Sequence, residues 1–286
     1  MEGAVVVGEK RSMPCDLHYV LYGKGPHKLL FIMGYCMTKE TWLKQAEYFG
    51  VEHGDTFQVC IFDNRGYGDS VCPSYYLTTE MLAHDVYELL QHLNWHQPHV
   101  IGLSMGGMIA QELVNIILST KDSPISLSSL TLAVTHAGGR NAVALPVRTW
   151  PKLLPWILCT QEEDKIKALV PLCYSADYLQ RNQEELLRWH GGCYKRVGLR
   201  SLISQAFAVC THYSTYQRLD QMKQSGLRVL VMVGTKDQMV NPINSYRLAQ
   251  LLAAPLVEFE GCGHMINLED AERFNRVVRE HVLSEP

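Results

Sequence analysis

Short apolar, β-branched runs alternate along this chain with segments whose apolar residues recur every three or four positions. LLFIMGY is followed by KETWLKQAEYF, FQVCIFD by TTEMLAHDVYELLQHLNW, and PHVIGLS by MIAQELVNIIL. Runs of the first kind read as strands buried on both faces, and those of the second as helices with one packed stripe. Within residues 79–95, Met81, Val86, Leu89, Leu90 and Leu93 fall on such a stripe. The alternation predicts a mostly parallel sheet with helices on both faces. GAVVVGEK and CDLHYVLYG come earlier and predict an antiparallel entry. LSSLTLAV, RVLVMVG and PLVEFEG bring the strand-like runs to eight.

The alternation stops between LSSLTLAV and RVLVMVG. Residues 140–226 hold no strand-like run, carry helical stretches such as SADYLQRNQEELLRWH and LRSLISQAFAVCTHY, and include Trp150, Trp156 and Trp189. They predict a helical cap inserted into a core formed by residues 1–139 and 227–286. Pro146, Pro151 and Pro155 flank Trp150 and Trp156 and predict a rigid segment there. The tryptophans suit either the core of the cap or the apolar wall of a substrate pocket. The cap holds twelve Lys and Arg against seven Asp and Glu in a chain of net charge −3. That basic layer is either a solvated helical face or a steering surface for an anionic substrate.

Candidate chemistry begins at Ser104 in GLSMGG, between the run ending HVIG and a helical pattern. A serine at a sharp strand-to-helix turn presents its hydroxyl, and Gly102 and Gly106 are needed where backbone crowds that turn. The G-x-S-x-G pattern is weak alone, and its company decides. A hydroxyl at its ordinary pKa is a poor nucleophile, so chemistry there requires a base oriented by a third group. The run RVLVMVG delivers Asp237 in GTKDQMVNP to the loop at its carboxyl end, and PLVEFEG delivers His264 in GCGHMINLED.

GLSMGG, GTKDQMVNP and GCGHMINLED resemble the three catalytic segments of the α/β-hydrolase superfamily, of the serine esterase and lipase type, and FDNRGYGDS at 62–70 resembles its DxRGxGxS turn. The resemblance implies an eight-stranded, mostly parallel α/β-hydrolase sheet with an inserted cap, and a Ser104–Asp237–His264 triad in the superfamily's chain order. It further implies an oxyanion hole from the backbone amides of Tyr35 and Met105. Met33 stands where family members commonly carry the His of His-Gly, while Gly34 keeps the turn. Asp63 and Arg65 are expected to form a structural link. Cys36, beside the presumed oxyanion loop, together with Met33, His136, Trp150 and Trp156, is a candidate for the pocket wall.

The implied reaction is hydrolysis of a carboxylic ester, or related acyl bond, through an acyl-enzyme, on a small-molecule substrate and without metal, nucleotide or redox cofactor. A serine nucleophile disfavours epoxide hydrolase and dehalogenase chemistry, which needs a carboxylate. Two alternatives stay open. One is carbon–carbon bond hydrolysis by the same triad, with Arg140, Arg148 or Arg188 holding a substrate carboxylate. The other is a slow-turnover ligand-binding receptor, since fold does not fix function.

Composition narrows the field further. With 286 residues, 47% hydrophobic and 19% charged, the chain reads as an ordinary globular protein with a large core. The near-neutral charge is no footprint for nucleic acid. No apolar run approaches a membrane span, and the amino terminus lacks a signal-peptide layout, so a cytoplasmic location is expected. Nine cysteines without a CxxC pair suggest neither a zinc site nor a complete disulfide framework.

Overall fold

A computed structural model of the chain describes residues 1–71, 76–143, 161–193 and 199–284. Trp150, Trp156, Arg148 and the three prolines beside the tryptophans lie outside the described residues. One eight-stranded sheet organises the rest, in the order β1-β2-β4-β3-β5-β6-β7-β8. The strands are β1 (Glu2–Val7), β2 (Cys15–Gly23), β3 (His27–Ile32), β4 (Phe57–Phe62), β5 (His99–Leu103), β6 (Ser129–Ala133), β7 (Val229–Gly234) and β8 (Leu256–Phe259). β1 and β2 enter antiparallel, and β4, β3, β5, β6, β7 and β8 then run parallel.

Burial on both faces explains why the central strands carry so few polar residues. In β3, Leu30 and Ile32 join one core and Leu29 and Phe31 the other, as the two-residue side-chain period requires. The first core is closed by α2 (Thr79–His92), α3 (Met105–Ser119) and α8 (Ile243–Leu252), numbering α-helices in chain order from α1 (Leu43–Ala46). The second is closed by Trp42, Phe49, and Phe274 and Val278 of α10 (Ala271–Leu283).

Two elements differ from the sequence pattern. The helix starting at Thr79 stops at His92, because Asn94 turns into the left-handed region at φ 53°. Its deepest stripe runs through Leu82, Val86, Leu89 and Leu90, with Met81 only half-buried. KETWLKQAEYF forms no continuous helix but a 3₁₀ turn at Lys39–Trp42, the short α1, and a π-helical turn at Glu47–Glu52.

Between β6 and β7 the described residues hold α4 (Glu162–Cys173), α5 (Ala176–Cys193), α6 (Leu199–Thr211) and α7 (Tyr216–Gln224). Leu169, Val170 and Cys173 of α4 share the second core with Met265 and Leu268. By contrast, Leu219 and Met222 of α7 belong to the first core with α3 and α8. That helix therefore packs against α3 and α8 and contributes no lining residue to the cavity beside Ser104. No helix among the described residues is long and apolar enough to cross a membrane.

Candidate active site

The carboxyl ends of β3, β5, β7 and β8 converge on one small cavity, where open α/β sheets usually hold their ligands. β5 ends at Leu103, and Ser104 turns the chain into α3 at φ 56°, ψ −119°, a conformation that non-glycine residues seldom adopt. Hydrogen bonds to the amide and carbonyl of Ser104 hold the turn. The Ser104 amide donates to Ala133 O at 2.9 Å, and its carbonyl accepts Thr135 Oγ1 at 2.7 Å and the Gly107 amide at 2.9 Å. A Cβ at Gly102 would overlap the carbonyl oxygen of Gly106, and one at Gly106 that of Ile32. Strand, turn and helix approach so closely only because both positions are glycine.

Asp237 and His264 form a buried pair, with His264 Nδ1 donating to Asp237 Oδ2 at 2.7 Å. The other carboxylate oxygen accepts the amides of Met239 at 2.7 Å and Val240 at 2.9 Å. A carboxylate held at three points fixes the imidazole's rotation and places a proton on Nδ1, leaving Nε2 as the nitrogen able to accept another. His264 and Ser104 line the same cavity.

The loop after β3 forms another side of that cavity, through Gly34, Tyr35 and Cys36. A Cβ at Gly34 would stand 3.1 Å from Cβ of Ser104, so this loop lies directly against the elbow. Met105 opens α3, and its amide has no intrahelical acceptor. Cys36 adopts φ 61°, burial pushes its thiol up to about 12, and its sulfur lies 3.7 Å from Tyr67 Oη. Tyr35 Oη donates to Leu202 O at 3.0 Å, tying the loop to α6.

Other candidates stand elsewhere. Met33 is fully buried in the second core rather than on the cavity wall, and its carbonyl accepts Asn64 Nδ2 at 3.1 Å. His136 is engaged locally: its Nδ1 accepts the Gly138 amide at 3.0 Å, its carbonyl accepts Gln111 Nε2 at 3.1 Å, and burial lowers it to about 4. Arg140 and Arg188 are exposed. The expected Asp63–Arg65 link is replaced by two separate pairs. Asp63 accepts Lys39 Nζ at 2.6 Å and the Lys39 amide at 2.8 Å, while Arg65 makes a bidentate pair with Asp85, both bonds at 2.7 Å. Lys39 lies 24 residues from Asp63 and Asp85 lies 20 from Arg65, so the packing of α2 and of the Lys39 turn chooses the pairings.

Sequence reasoning missed Asn64, which tethers the loop after β3, and Glu269. Glu269 Oε1 accepts the amides of Gly263 at 2.7 Å and Ser175 at 3.0 Å, and Oε2 accepts Ser175 Oγ at 2.6 Å. It thereby binds the loop of His264 to the segment after α4. Burial raises its carboxyl above the usual range. Its only sequence signal is its place five residues after His264. Among the described residues, no group of three or more His, Cys, Asp or Glu side chains is arranged to hold a metal ion.

A sequence model described as alpha/beta hydrolase fold matches residues 28–271. The chain is 24% identical over 271 residues to a 3-oxoadipate enol-lactonase from Acinetobacter baylyi, covering 92% of this chain and 91% of that protein. It is 26% identical over 273 residues to a dihydrolipoyllysine-residue acetyltransferase component of the acetoin cleaving system from Cupriavidus necator, covering 93% of this chain but only 66% of that protein's length. Among solved structures, an esterase from Exiguobacterium antarcticum superposes with a TM-score of 0.79 over 99% of this chain and 100% of that one, at 19% identity.

Proposed function

The chain belongs to the alpha/beta hydrolase fold family, and within it we propose a serine hydrolase that cleaves a carboxylic ester through an acyl-enzyme. Ser104 is the nucleophile, His264 the base, and Asp237 the group that orients the base and stabilises its cation. The supporting observation is the 2.7 Å Asp237–His264 pair, whose imidazole lines the same small cavity as a strained Ser104.

His264 takes the Ser104 proton through Nε2 as Oγ attacks the substrate carbonyl. Charge develops on the carbonyl oxygen, and the amides of Tyr35 and Met105 receive it. Collapse expels the alcohol, which takes the proton back from His264. Water then repeats both steps on the acyl-enzyme and frees the acid. Leu169 and Cys173 of α4 cover this site from the segment between β6 and β7.

An ester is favoured over a carbon–carbon bond flanked by a carboxylate, because among the described residues no arginine lines the cavity and Arg140 and Arg188 are exposed. The enol-lactonase and esterase names of its relatives agree with ester cleavage. Fluorophosphonate labelling of wild type and Ser104→Ala, followed by turnover of p-nitrophenyl esters, tests the assignment. Labelling that survives the substitution would refute it. Labelling of Ser104 with no turnover of any ester would leave a ligand-binding receptor instead.

A further inference from the structure

We propose that the acyl half of the substrate is short and uncharged, of acetyl to propionyl size; this rests on the serine-hydrolase reading above. The cavity beside Ser104 has a volume of about 40 Å³. One water-sized site takes about 10–15 Å³ on this measure, so the space seats about three non-hydrogen atoms. An acetyl group has three. The acyl half is the part that must be enclosed, since it stays bonded to Ser104 Oγ after the alcohol has left.

The walls set both charge and length. They include Cys36, Met37, Leu169, Cys173, Met239 and Met265, and among the described residues no Lys, Arg, Asp or Glu side chain lines the cavity. Both thiols are neutral, Cys36 pushed up to about 12 and Cys173 raised still further by burial. A carboxylate carried in on the acyl chain would shed its hydration with no lysine or arginine among the described lining residues to receive it, a cost of several kcal/mol.

Length is limited by the rigid side. Leu169 and Cys173 sit on α4, and the Cys173 carbonyl accepts the amides of both His264 and Met265. That wall cannot recede without moving the base. The lining residues Met37 and Met239 are unbranched and adaptable, which tolerates one further methylene but does not open a channel.

The test is a p-nitrophenyl ester series on the full-length protein. The expected kcat/KM is highest for acetate or propionate, at least tenfold lower for hexanoate, and at least a hundredfold lower for hemisuccinate than for butyrate. Leu169→Ala should raise the hexanoate-to-acetate ratio at least tenfold. Met239→Ala, at a half-buried position, serves the same purpose if Leu169→Ala fails to fold. Hexanoate turned over as well as acetate by wild type, hemisuccinate matching butyrate, or no change of ratio in either folded variant would overturn the inference. Absence of both fluorophosphonate labelling and ester turnover is a different outcome. It would overturn the serine-hydrolase reading itself, and the acyl assignment with it.

Discussion

The main-chain carbonyl of Cys173, the last residue of α4, accepts the amide of His264 at 2.9 Å. The residue proposed as the base is therefore held by the segment inserted between β6 and β7, as well as by its own strand end. Glu269 reinforces the same seam through Gly263 and Ser175.

Replacing Glu269 by Ala should loosen both partners at once. Three donors lose their acceptor, at about 1–3 kcal/mol for each buried group left unpaired. Urea unfolding should show a loss of about 2 kcal/mol or more, and kcat should fall at least tenfold as His264 loses its position. Wild-type values for both would remove Glu269 from the positioning of the base.

Ser104→Ala should lower kcat by about 10⁴ or more, as removal of a triad serine does elsewhere. The backbone strain gives an independent readout. Ser104→Gly removes the side chain that makes φ 56° costly, and should raise stability by about 1 kcal/mol in thermal or urea unfolding. A loss of stability in Ser104→Gly would show that the turn is not strained.

Asp237→Asn separates orientation from folding. An Asn oxygen still accepts the Met239 and Val240 amides, so the melting temperature should move little. An amide facing His264 Nδ1 favours the wrong tautomer, and the comparable change in the chymotrypsin triad costs about 10⁴ in kcat. Activity within tenfold of wild type would argue against Asp237 as the orienting acid.

Acid should destabilise the fold before carboxylates are widely protonated. Burial lowers His99, His136 and His190 to about 4 and His212 to about 3. Unfolded, each binds a proton below about pH 6.5, so the unfolded chain holds more protons between there and about pH 4. Stability therefore falls as pH drops through that window, and a lowering of this size is worth about 3 kcal/mol per group at its acid end. Melting temperatures measured from pH 7 to pH 4.5 should decline, and His99→Gln should flatten the slope. A constant melting temperature across that range would contradict the buried, neutral state of these rings.

Much of this molecule is written locally. Alternating strand and helix periods determined the sheet and its two faces, because burial on a pleat or a helical stripe is enforced residue by residue. Gly102 and Gly106 marked the elbow, because a side chain at either would strike backbone. Asp237 and His264 were legible as polar residues at the ends of apolar strands. Partners far apart in sequence were not. Lys39 rather than Arg65 holds Asp63, Met33 lies in a core rather than on the cavity, and Leu169 and Cys173 supply a wall from an inserted helix. Each of these depends on which surfaces meet once the sheet has formed, and a one-dimensional pattern of apolar and polar residues carries no distance between segments that are not neighbours in the chain.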